Sequence, residues 1–338
     1  MSKQKKNKKG IIILVSIIGG LALFFFLMNI IPPKKVFENN LFIKEEDSIP
    51  MLAAHRGGSL NNPENTLKAY KAAVNEYHID IIESDLWMTK DEHLVYSHDG
   101  YIDRMSDVQL FDDTTDKHYI ADYTLEELKN FNFGYGFLDK DGGYPYQDLV
   151  TLDQDDRKEV LKANDLQILE VEELFRAFYD TNPKLMFIVE IKNGGDEGKK
   201  AATILDNLLT VVFPVYKSRV VIGTFHDEIS EDLRVNHPTL LRGASTGDAA
   251  GFILTQLFGV NLLNRADFAC LQIPTSFNAK GFKLSLDRKT IIKRAHRRNI
   301  AVQFWTINDA DEMKHLADLG ADCIMTDDPE LFNLVFGR

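Results

Sequence analysis

Cysteine is scarce in this chain: among 338 residues, only Cys270 and Cys323 carry a thiol. Both lie in apolar runs typical of strands rather than loops, so two buried thiols are favoured over a disulfide bond. No cysteine lies at the end of the apolar segment near the N-terminus, which excludes lipid attachment of the lipoprotein type.

After the N-terminal segment, basic residues are outnumbered by acidic ones. Residues 1–35 hold seven lysines and no acid, which leaves 32 basic residues against 51 acidic ones in the remainder. Nothing in that remainder resembles the basic stripe of a nucleic-acid-binding protein, so we exclude nucleic acid as a partner. A globular part this acidic gains little from anionic lipid, and any membrane attachment must come from elsewhere.

A long apolar run supplies that attachment. Gly10 to Ile31 holds 22 uncharged residues, enough for a helix that crosses the ~30 Å hydrocarbon layer. A cleaved signal peptide is the alternative, but the exit from Met28 to Pro33 lacks the small-residue cleavage pattern. Five preceding lysines favour a cytoplasmic N-terminus. We predict a basic cytoplasmic tail (1–9), a single span of the cell membrane (10–31), a tether (32–49) and an extracellular domain (50–338).

Short apolar runs alternate with helical patterns after residue 50. Runs rich in Ile, Val and Leu are typical of parallel strands that are buried on both faces. Such strands over about 280 residues favour an α/β fold of the (β/α)8 TIM-barrel type, with a doubly wound open sheet as the alternative. Eight runs stand out: Met51–His55, Ile79–Leu86, Leu185–Ile191, Val220–Phe225, Leu240–Ala244, Phe268–Ile273, Ile300–Thr306 and Ala321–Thr326.

An insertion of about residues 87–170 interrupts this alternation after the second strand. It opens with a hairpin pattern over Trp87–His98 and continues with a stretch rich in Asp, Gly and aromatic residues. A structureless loop of that length is uncommon in a compact domain, so we predict an inserted subdomain. Two interpretations stay open: a cover over the barrel mouth, or a surface elaboration with no role in substrate choice.

Three carboxylates fall on two successive predicted strands. Glu83 and Asp85 are two residues apart and therefore share a face of the second strand, and Glu190 lies on the third. Buried carboxylates are costly unless a cation neutralises them. Their oxygens suit one Mg²⁺ or Ca²⁺ ion, and ion pairs with Arg56 and Lys192 are the alternative interpretation.

Two histidines and two cations flank these carboxylates. His55 ends the first strand and His98 ends the hairpin; on opposite sides of a phosphate they would act as base and acid. Arg56 has a planar fork that suits phosphate oxygens, and Lys192 adds a point charge on the face of Glu190. This inventory predicts metal-assisted attack on a phosphate ester. The other histidines are assigned to structural roles: His78, His93, His118, His226, His237, His296 and His315.

Seven short motifs follow one another along the chain: His55-Arg56-Gly57, Pro63-Glu64-Asn65-Thr66, Glu83-x-Asp85, Ser97-His98-Asp99, Glu190-x-Lys192, Trp305-Thr306-x-Asn308 and Thr326-Asp327-x-Pro329. Together they resemble the successive signatures of the glycerophosphodiester phosphodiesterase family. The resemblance spans about residues 50–336, and it is the ordered set that is specific, since each motif alone is weak.

The resemblance implies a barrel with an insertion after the second strand. It implies a divalent metal on three carboxylates, those of Glu83, Asp85 and Glu190, and acid–base roles for two histidines, His55 and His98. It also implies phosphate or substrate contacts for four residues: Arg56, Lys192, Gln272 and Trp305. Core packing is the alternative for the last two. The stretch Gly100–Ser106 is a loose version of the family pattern, and the insertion is long and aromatic, so substrate preference is not carried over.

The resulting hypothesis is metal-dependent hydrolysis of a small glycerophosphodiester to an alcohol and glycerol 3-phosphate. The attacking oxygen belongs to water or to the neighbouring glycerol hydroxyl, and a metal-free mechanism is the chemical rival. Two alternatives keep the fold and change the substrate: a lysophospholipid, cleaved as by a lysophospholipase D, or a phosphoglycerol polymer of the teichoic acid type. A non-catalytic binding module is disfavoured, because no catalytic position is missing.

Overall fold

The computed structural model describes residues 2–112, 114–279 and 281–338. Its helices are α1 (Ser2–Ile30), α2 (Leu67–Asn75), α3 (Leu125–Leu128), α4 (Arg157–Ala163), α5 (Val171–Tyr179), α6 (Gly195–Asn207), α7 (Asp227–Asn236), α8 (Thr246–Leu257), α9 (Lys289–His296), α10 (Ala310–Leu319) and α11 (Pro329–Phe336). Its strands are β1 (Met51–Ala54), β2 (Ile81–Met88), β3 (Leu94–Tyr96), β4 (Met186–Ile191), β5 (Val220–Gly223), β6 (Leu241–Arg242), β7 (Cys270–Ile273), β8 (Ser276–Ala279), β9 (Phe282–Ser285), β10 (Ala301–Phe304) and β11 (Cys323–Thr326).

Eight parallel strands form a barrel. Hydrogen-bonded neighbours follow the order β6-β5-β4-β2-β1-β11-β10-β7. The two ends of this order meet, because the Ala269 N–H donates to Arg242 O (2.7 Å) and the Ala244 N–H donates to Cys270 O (2.9 Å). This closure confirms the predicted barrel over the open sheet. The strands begin at one end, here called the bottom, and finish at the other, the mouth.

Alternation along the strands separates an outer core from an inner one. Ile82 and Leu86 of β2 pack outward against the surrounding helices, whereas Ile81 packs inside the barrel. Cys270 and Cys323 belong to the inner core and are buried free thiols. The prediction of two buried thiols without a disulfide is therefore confirmed.

Phe42 closes the bottom of the barrel. Its side chain is fully buried and packs with the inward-facing residues of the lower barrel. Asn40 fastens the same segment, because its Nδ2 donates to Ala269 O (2.8 Å) and to Asn299 O (3.0 Å). Part of the stretch predicted as a tether is thus packed beneath the strands.

β2 continues beyond the barrel and pairs with β3. The last three residues of β2 form an antiparallel hairpin, from Leu86 opposite Tyr96 to Met88 opposite Leu94. The chain then passes through α3 and α4 before it returns along α5 to β4. The insertion predicted after the second barrel strand has an apolar core of its own, which includes Val95, Ile102, Val108, Ile120, Leu128, Phe133 and Ile168.

α1 precedes the barrel and is apolar over most of its length. The window Gly10–Ile30 has a mean hydropathy of 2.9, and none of it is buried. Length and composition make this helix able to cross a bilayer, a test that a signal sequence passes equally.

Candidate active site

A sharp turn after β1 places His55 and Arg56 at the mouth of the barrel. Arg56 (φ 54°) and Gly57 (φ 85°) both adopt left-handed backbone conformations. A Cβ at Gly57 would lie 2.8 Å from Ala69 Cβ, so a larger residue would displace α2. The turn directs the Arg56 N–H to Glu83 Oε2, 2.9 Å away. The backbone itself therefore joins the first strand to a carboxylate of β2.

Three acidic side chains converge just inside the mouth. Asp85 of β2 lies in register with Glu190 of β4, and Glu83 precedes Asp85 on the same face. One oxygen from each of the three lies within 4.8 Å of the others. Glu83 is 4% exposed and Asp85 is 1% exposed. Burial and the charge of Asp85 raise the pKa of Glu83 to about 7, and burial raises the pKa of Glu190.

This cluster has the donors that a divalent cation requires. Asp85 Oδ2 is buried and has no hydrogen-bond partner among the described residues. No lysine or arginine of the described chain lies within 4.0 Å of the Glu83 carboxylate, whose nearest basic atom is His55 Nε2 at 3.9 Å. Carboxylate oxygens are the ligands that Mg²⁺ and Ca²⁺ take, and an ion here would offset charges that burial leaves uncompensated. The three side chains therefore fit the predicted cation.

Two basic side chains lie beside the carboxylates, as expected from the alternative interpretation of ion pairs. Lys192 Nζ lies 2.9 Å from both Asp85 Oδ1 and Glu190 Oε1, and Arg56 Nε lies 3.5 Å from Asp85 Oδ2. Burial opposes the charge of Lys192, but the two carboxylates outweigh it and raise the pKa of the ammonium. These ion pairs cover Asp85 and Glu190 and leave Glu83 without a cationic partner in the described chain.

His55 is held by an aspartate that follows β11. Its Nδ1 lies 2.6 Å from Asp327 Oδ1, and Asp327 also accepts hydrogen bonds from Ser59 Oγ (2.7 Å) and Asn308 Nδ2 (2.8 Å). Burial disfavours charge on both partners, yet the hydrogen bond from His55 lowers the pKa of Asp327 to about 2. The charges of Glu83 and Asp327 likewise outweigh burial and raise the pKa of His55. The ionised Asp327 accepts a hydrogen bond from the Nδ1–H of His55, which leaves Nε2 directed toward the carboxylates.

His98 reaches the same place from the loop after β3. Its Nδ1 lies 2.9 Å from Asp99 Oδ1, and Arg104 Nε donates to the other oxygen of Asp99 at 2.7 Å. Arg104 Nη2 in turn donates to Glu64 Oε1 on the loop before α2, at 2.6 Å. Trp87 Nε1 donates to His98 O at 3.3 Å and fixes the backbone of this loop. The inserted layer is therefore tied to the barrel through the residues around His98.

One cavity at the mouth, about 310 Å³ in volume, is lined by all nine predicted site residues: His55, Arg56, Glu83, Asp85, His98, Glu190, Lys192, Gln272 and Trp305. Gln272 Nε2 donates to Gln303 Oε1 at 3.1 Å. The Trp305 ring packs edge-to-face with Phe225, their centroids 6.0 Å apart. The cavity thus combines a charged side with an apolar one.

Four residues in or beside this cavity were not predicted as site residues: Glu64, Arg104, Phe225 and Asp327. Asp327 belongs to the motif Thr326-Asp327-x-Pro329, but no role was assigned to it there. Phe225 closely follows β5, so its only signal was a position at a strand end. Glu64 and Arg104 are 40 residues apart and meet only through the tertiary fold, so no local pattern links them.

Comparisons with known proteins identify relatives over most of the chain. Residues 55–331 match the model of the glycerophosphoryl diester phosphodiesterase family. A glycerophosphodiester phosphodiesterase of Caldanaerobacter subterraneus is 27% identical over 84% of this chain and 97% of its own length. A lysophospholipase D of Mus musculus is 26% identical over 82% of this chain and 79% of its own.

Solved structures share the fold at lower identity. The glycerophosphoryl diester phosphodiesterase domain of a Mycobacterium tuberculosis protein has a TM-score of 0.67 at 15% identity, covering 86% of this chain and 100% of that one. An Oleispira antarctica phosphodiesterase, solved with its product sn-glycerol-3-phosphate, has a TM-score of 0.61 at 19% identity, covering 86% of this chain and 98% of that one. The matched residues include every strand of the barrel after β1 and the loops that build the cavity. The chain belongs to the glycerophosphoryl diester phosphodiesterase family and is an enzyme of that class, as its ordered motifs predicted.

Proposed function

We propose that this enzyme hydrolyses small glycerophosphodiesters to an alcohol and glycerol 3-phosphate, using one divalent cation and two histidines. The observation that carries the proposal is the cavity at the barrel mouth, which is lined by three carboxylates, two basic side chains and two histidines, each paired with an aspartate. The product bound to the Oleispira antarctica relative supports glycerol 3-phosphate as the product here.

The charged side of the cavity binds the phosphate in this proposal. Glu83, Asp85 and Glu190 would hold Mg²⁺ or Ca²⁺, which when bound supplies positive charge to the phosphoryl oxygens. Arg56 and Lys192 add fixed positive charge at the same oxygens, where negative charge develops during the reaction. Because these groups are already fastened to the carboxylates, they need little rearrangement when the substrate arrives.

His55 and His98 move the protons. Each histidine has its Nδ1 beside an aspartate, Asp327 or Asp99, which leaves Nε2 as the nitrogen that exchanges a proton. One Nε2 takes the proton of the attacking oxygen while the other protonates the oxygen of the leaving alcohol. The attacking oxygen is that of water, which gives glycerol 3-phosphate directly, or that of the neighbouring glycerol hydroxyl, which expels the alcohol and leaves a cyclic glycerol phosphate. On the second route a water molecule then opens the cyclic phosphate to glycerol 3-phosphate, and the same two nitrogens exchange the protons of each step.

The size of the cavity favours a small substrate. Its volume of about 310 Å³ lies at the lower end of the roughly 300–1,000 Å³ of ligand sites. Phosphate, glycerol and a small alcohol fit such a space, whereas an acyl chain would have to leave it along the apolar side. That side, made by Phe225 and Trp305, favours a lysophospholipid as the second candidate, together with the likeness to the mouse lysophospholipase D.

We also propose that α1 anchors the enzyme in the cell membrane by a single uncleaved span, with the catalytic domain (50–338) outside. The apolar window Gly10–Ile30 and the lysines that precede it support this topology. The inserted layer (about 87–170) belongs to the catalytic domain, because it delivers His98 to the cavity.

Turnover by the full chain in detergent tests the proposed reaction. Glycerophosphocholine, lysophosphatidylcholine and polyglycerol phosphate are compared, with and without a chelator, and glycerol 3-phosphate is measured. We expect glycerophosphocholine to be cleaved, activity to vanish with chelator, and Mg²⁺ or Ca²⁺ to restore it. His98→Ala should lose roughly 100- to 10,000-fold in kcat, whereas His93→Ala, at an exposed histidine paired with Glu170, should keep full activity. Activity that survives chelation would exclude the metal-dependent mechanism, and phosphocholine as product would exclude the assigned bond cleavage.

A further inference from the structure

The end of α1 is fastened to the bottom of the barrel. Asn29 Nδ2 donates to Gly259 O (3.0 Å), and Asn261 Nδ2 donates to Met28 O (2.9 Å). Gly259 and Asn261 lie on the connection between α8 and β7, where the chain returns to the start of a strand. The C-terminal end of α1, the proposed membrane span, therefore contacts the barrel at the end opposite the cavity.

Two arginines at the end of α9 strengthen this junction. Arg297 donates to Asn29 O (2.7 Å) and to Ile31 O (3.0 Å), and Arg294 Nη2 donates to Asn29 Oδ1 (2.9 Å). The last carbonyls of a helix have no partner within the helix, so Arg297 completes the end of α1. These hydrogen bonds fix the position of the barrel relative to the end of α1, so the two are not joined by a flexible tether alone.

Large apolar side chains are exposed around the junction. Leu254 and Leu257 of α8 are 50% and 40% exposed, and Phe258, which follows them, is 69% exposed. Leu263, two residues after Asn261, is 60% exposed. Together these four residues, here called the basal apolar patch, continue the apolar surface of α1 onto the barrel. Exposed apolar side chains gathered beside a membrane span are typical of contact with lipid.

Positive charge surrounds the basal apolar patch, although the domain as a whole is acidic. Six basic residues lie at this corner, five of them at least partly exposed and the sixth, Arg298, buried. In the described part of the chain none of the six has a carboxylate within 4.0 Å: Lys34, Lys35, Arg265, Arg294, Arg297 and Arg298. The hydrogen bonds of the last three go to neutral oxygens. Burial and the nearby charge of Arg297 lower the pKa values of both Arg294 and Arg298. Asp267 also lines this corner, but it pairs with Arg242. The exposed charges of Lys34, Lys35 and Arg265 therefore suit the phosphates of lipid headgroups.

The opposite end of the molecule has the opposite charge. Residues 87–170, which approach the mouth, contain 20 acidic residues and only eight basic ones. Lys140 of this layer lies 2.7 Å from Glu330 at the mouth-side start of α11, which places that part of the layer at the mouth. An anionic leaflet would repel this end and attract the other.

We propose that the basal apolar patch and its ring of basic residues rest on an anionic lipid leaflet, so that the barrel stands on the membrane with its mouth directed away. From Ala301 at the bottom to Trp305 at the cavity, four residue steps lift the site roughly 13 Å above the strand starts. The consequence for substrate rests on the proposed function: the enzyme takes diesters from the aqueous phase rather than lysolipids held in its own leaflet.

Fluorescence quenching by lipid-bound spin labels tests this orientation. Cys270 and Cys323 are fully buried, so a fluorophore reacts selectively with a cysteine introduced at an exposed position. Leu263→Cys labels the basal apolar patch, and Leu138→Cys, 51% exposed in the inserted layer, labels the mouth side. The full chain is reconstituted in vesicles of equal amounts of phosphatidylglycerol and phosphatidylcholine, with the spin label near the headgroup.

We expect most of the fluorescence to be lost at position 263 and none at 138. Adding Phe258→Asp to the Leu263→Cys chain should weaken the quenching, whereas Leu110→Asp, at an exposed apolar residue of the inserted layer, should leave it unchanged. Quenching at 138 instead of 263, or at neither position, would overturn the proposal. Protection of position 263 without quenching, together with cross-linked dimers, would identify a second copy of the chain as the occupant and equally overturn it.

The readout does not depend on catalysis. Hydrolysis of glycerophosphocholine by the same labelled chains is measured in parallel. The expected quenching in a chain that cleaves no diester would contradict the proposed function alone. Full activity with the reverse quenching pattern would contradict the orientation alone.

Discussion

His55 Nδ1 lies 2.6 Å from Asp327 Oδ1, across the line where β1 pairs with β11. The two residues are 272 positions apart, yet each directly follows its strand at the mouth. The histidine–aspartate pair thus joins the mouth ends of the first and last strands of the barrel. An aspartate in this position selects the tautomer of the imidazole and favours its protonated form.

Asp327→Asn tests that pair. An amide cannot stabilise the imidazolium, so kcat should fall about 100-fold, within the range that acid–base groups contribute. Because the charge of Asp327 helps to raise the pKa of His55, the pKa that His55 contributes to the pH–rate profile should fall as well. Ser59→Ala is the matched control, since Ser59 donates to the same oxygen but leaves the carboxylate in place. A profile that does not move in Asp327→Asn would remove the role given to this aspartate.

Divalent cations should stabilise the folded enzyme. A ligand that binds only the folded state at about 100 times its Kd adds ~2.7 kcal/mol, which would appear as a higher Tm. Replacing Glu83 by Gln removes one ligand charge, so Tm of Glu83→Gln should no longer respond to Mg²⁺ or Ca²⁺. Glu228→Gln, at an acid outside the cluster, should respond as the unmodified enzyme does. Equal shifts in both variants would place the ion elsewhere.

Some residues of the site could be predicted from the sequence, and others could not. Glu83 and Asp85 were placed on one face by the two-residue period of a strand, and Glu190 by the same reasoning one barrel strand later. Asp327 was part of a motif, but its contact with His55 depends on the pairing of β1 with β11, which no local sequence pattern indicates. The bond between Glu64 and Arg104 likewise depends on how the inserted layer folds back. Phe42 lies in a polar stretch, so its burial at the barrel bottom had no periodic signal.

The metal-free enzyme should lose stability as pH rises from about 4.5 to about 7. Burial and Asp85 raise the folded-state pKa of Glu83 from 4.5 to about 7, so the folded state binds this proton more tightly than the unfolded state. The contribution of Glu83 to the free energy of unfolding is then fully present below pH 4.5 and falls by on the order of 3 kcal/mol across the window. His55, whose pKa is also raised, acts in the same direction near the upper end.

Denaturant unfolding in chelator at several pH values checks this slope. Glu83→Gln carries no titrating group at that position, so its stability should decline less over the same range. Parallel curves for the two proteins would show that Glu83 ionises normally in the folded state.

Arg104 is expected to act as a positioning residue for His98. It donates to Asp99 and to Glu64, and Asp99 holds His98 Nδ1. Arg104→Gln should lower kcat roughly 10- to 100-fold through misplacement of the imidazole, with little change in KM. In a chain that already carries His98→Ala, adding Arg104→Gln should leave kcat almost unchanged, because the imidazole that Arg104 positions is absent. Arg104→Lys keeps the charge without the fork and should recover only part of the rate. Additive losses in the double variant would exclude this coupling.

Phe42 should stabilise the barrel without taking part in the reaction. Its ring is fully buried at the bottom, whereas the cavity lies at the mouth. Phe42→Ala leaves a void between the lower strands and should lower the free energy of unfolding by about 3–5 kcal/mol. Leu41→Ala, at the neighbouring residue that is 42% exposed, should change it by less than about 0.5 kcal/mol. Denaturant unfolding measures both, and kcat below the unfolding transition should stay unchanged in each. A small loss in Phe42→Ala would mean that residues 36–44 are held to the barrel by their hydrogen bonds and not by this side chain.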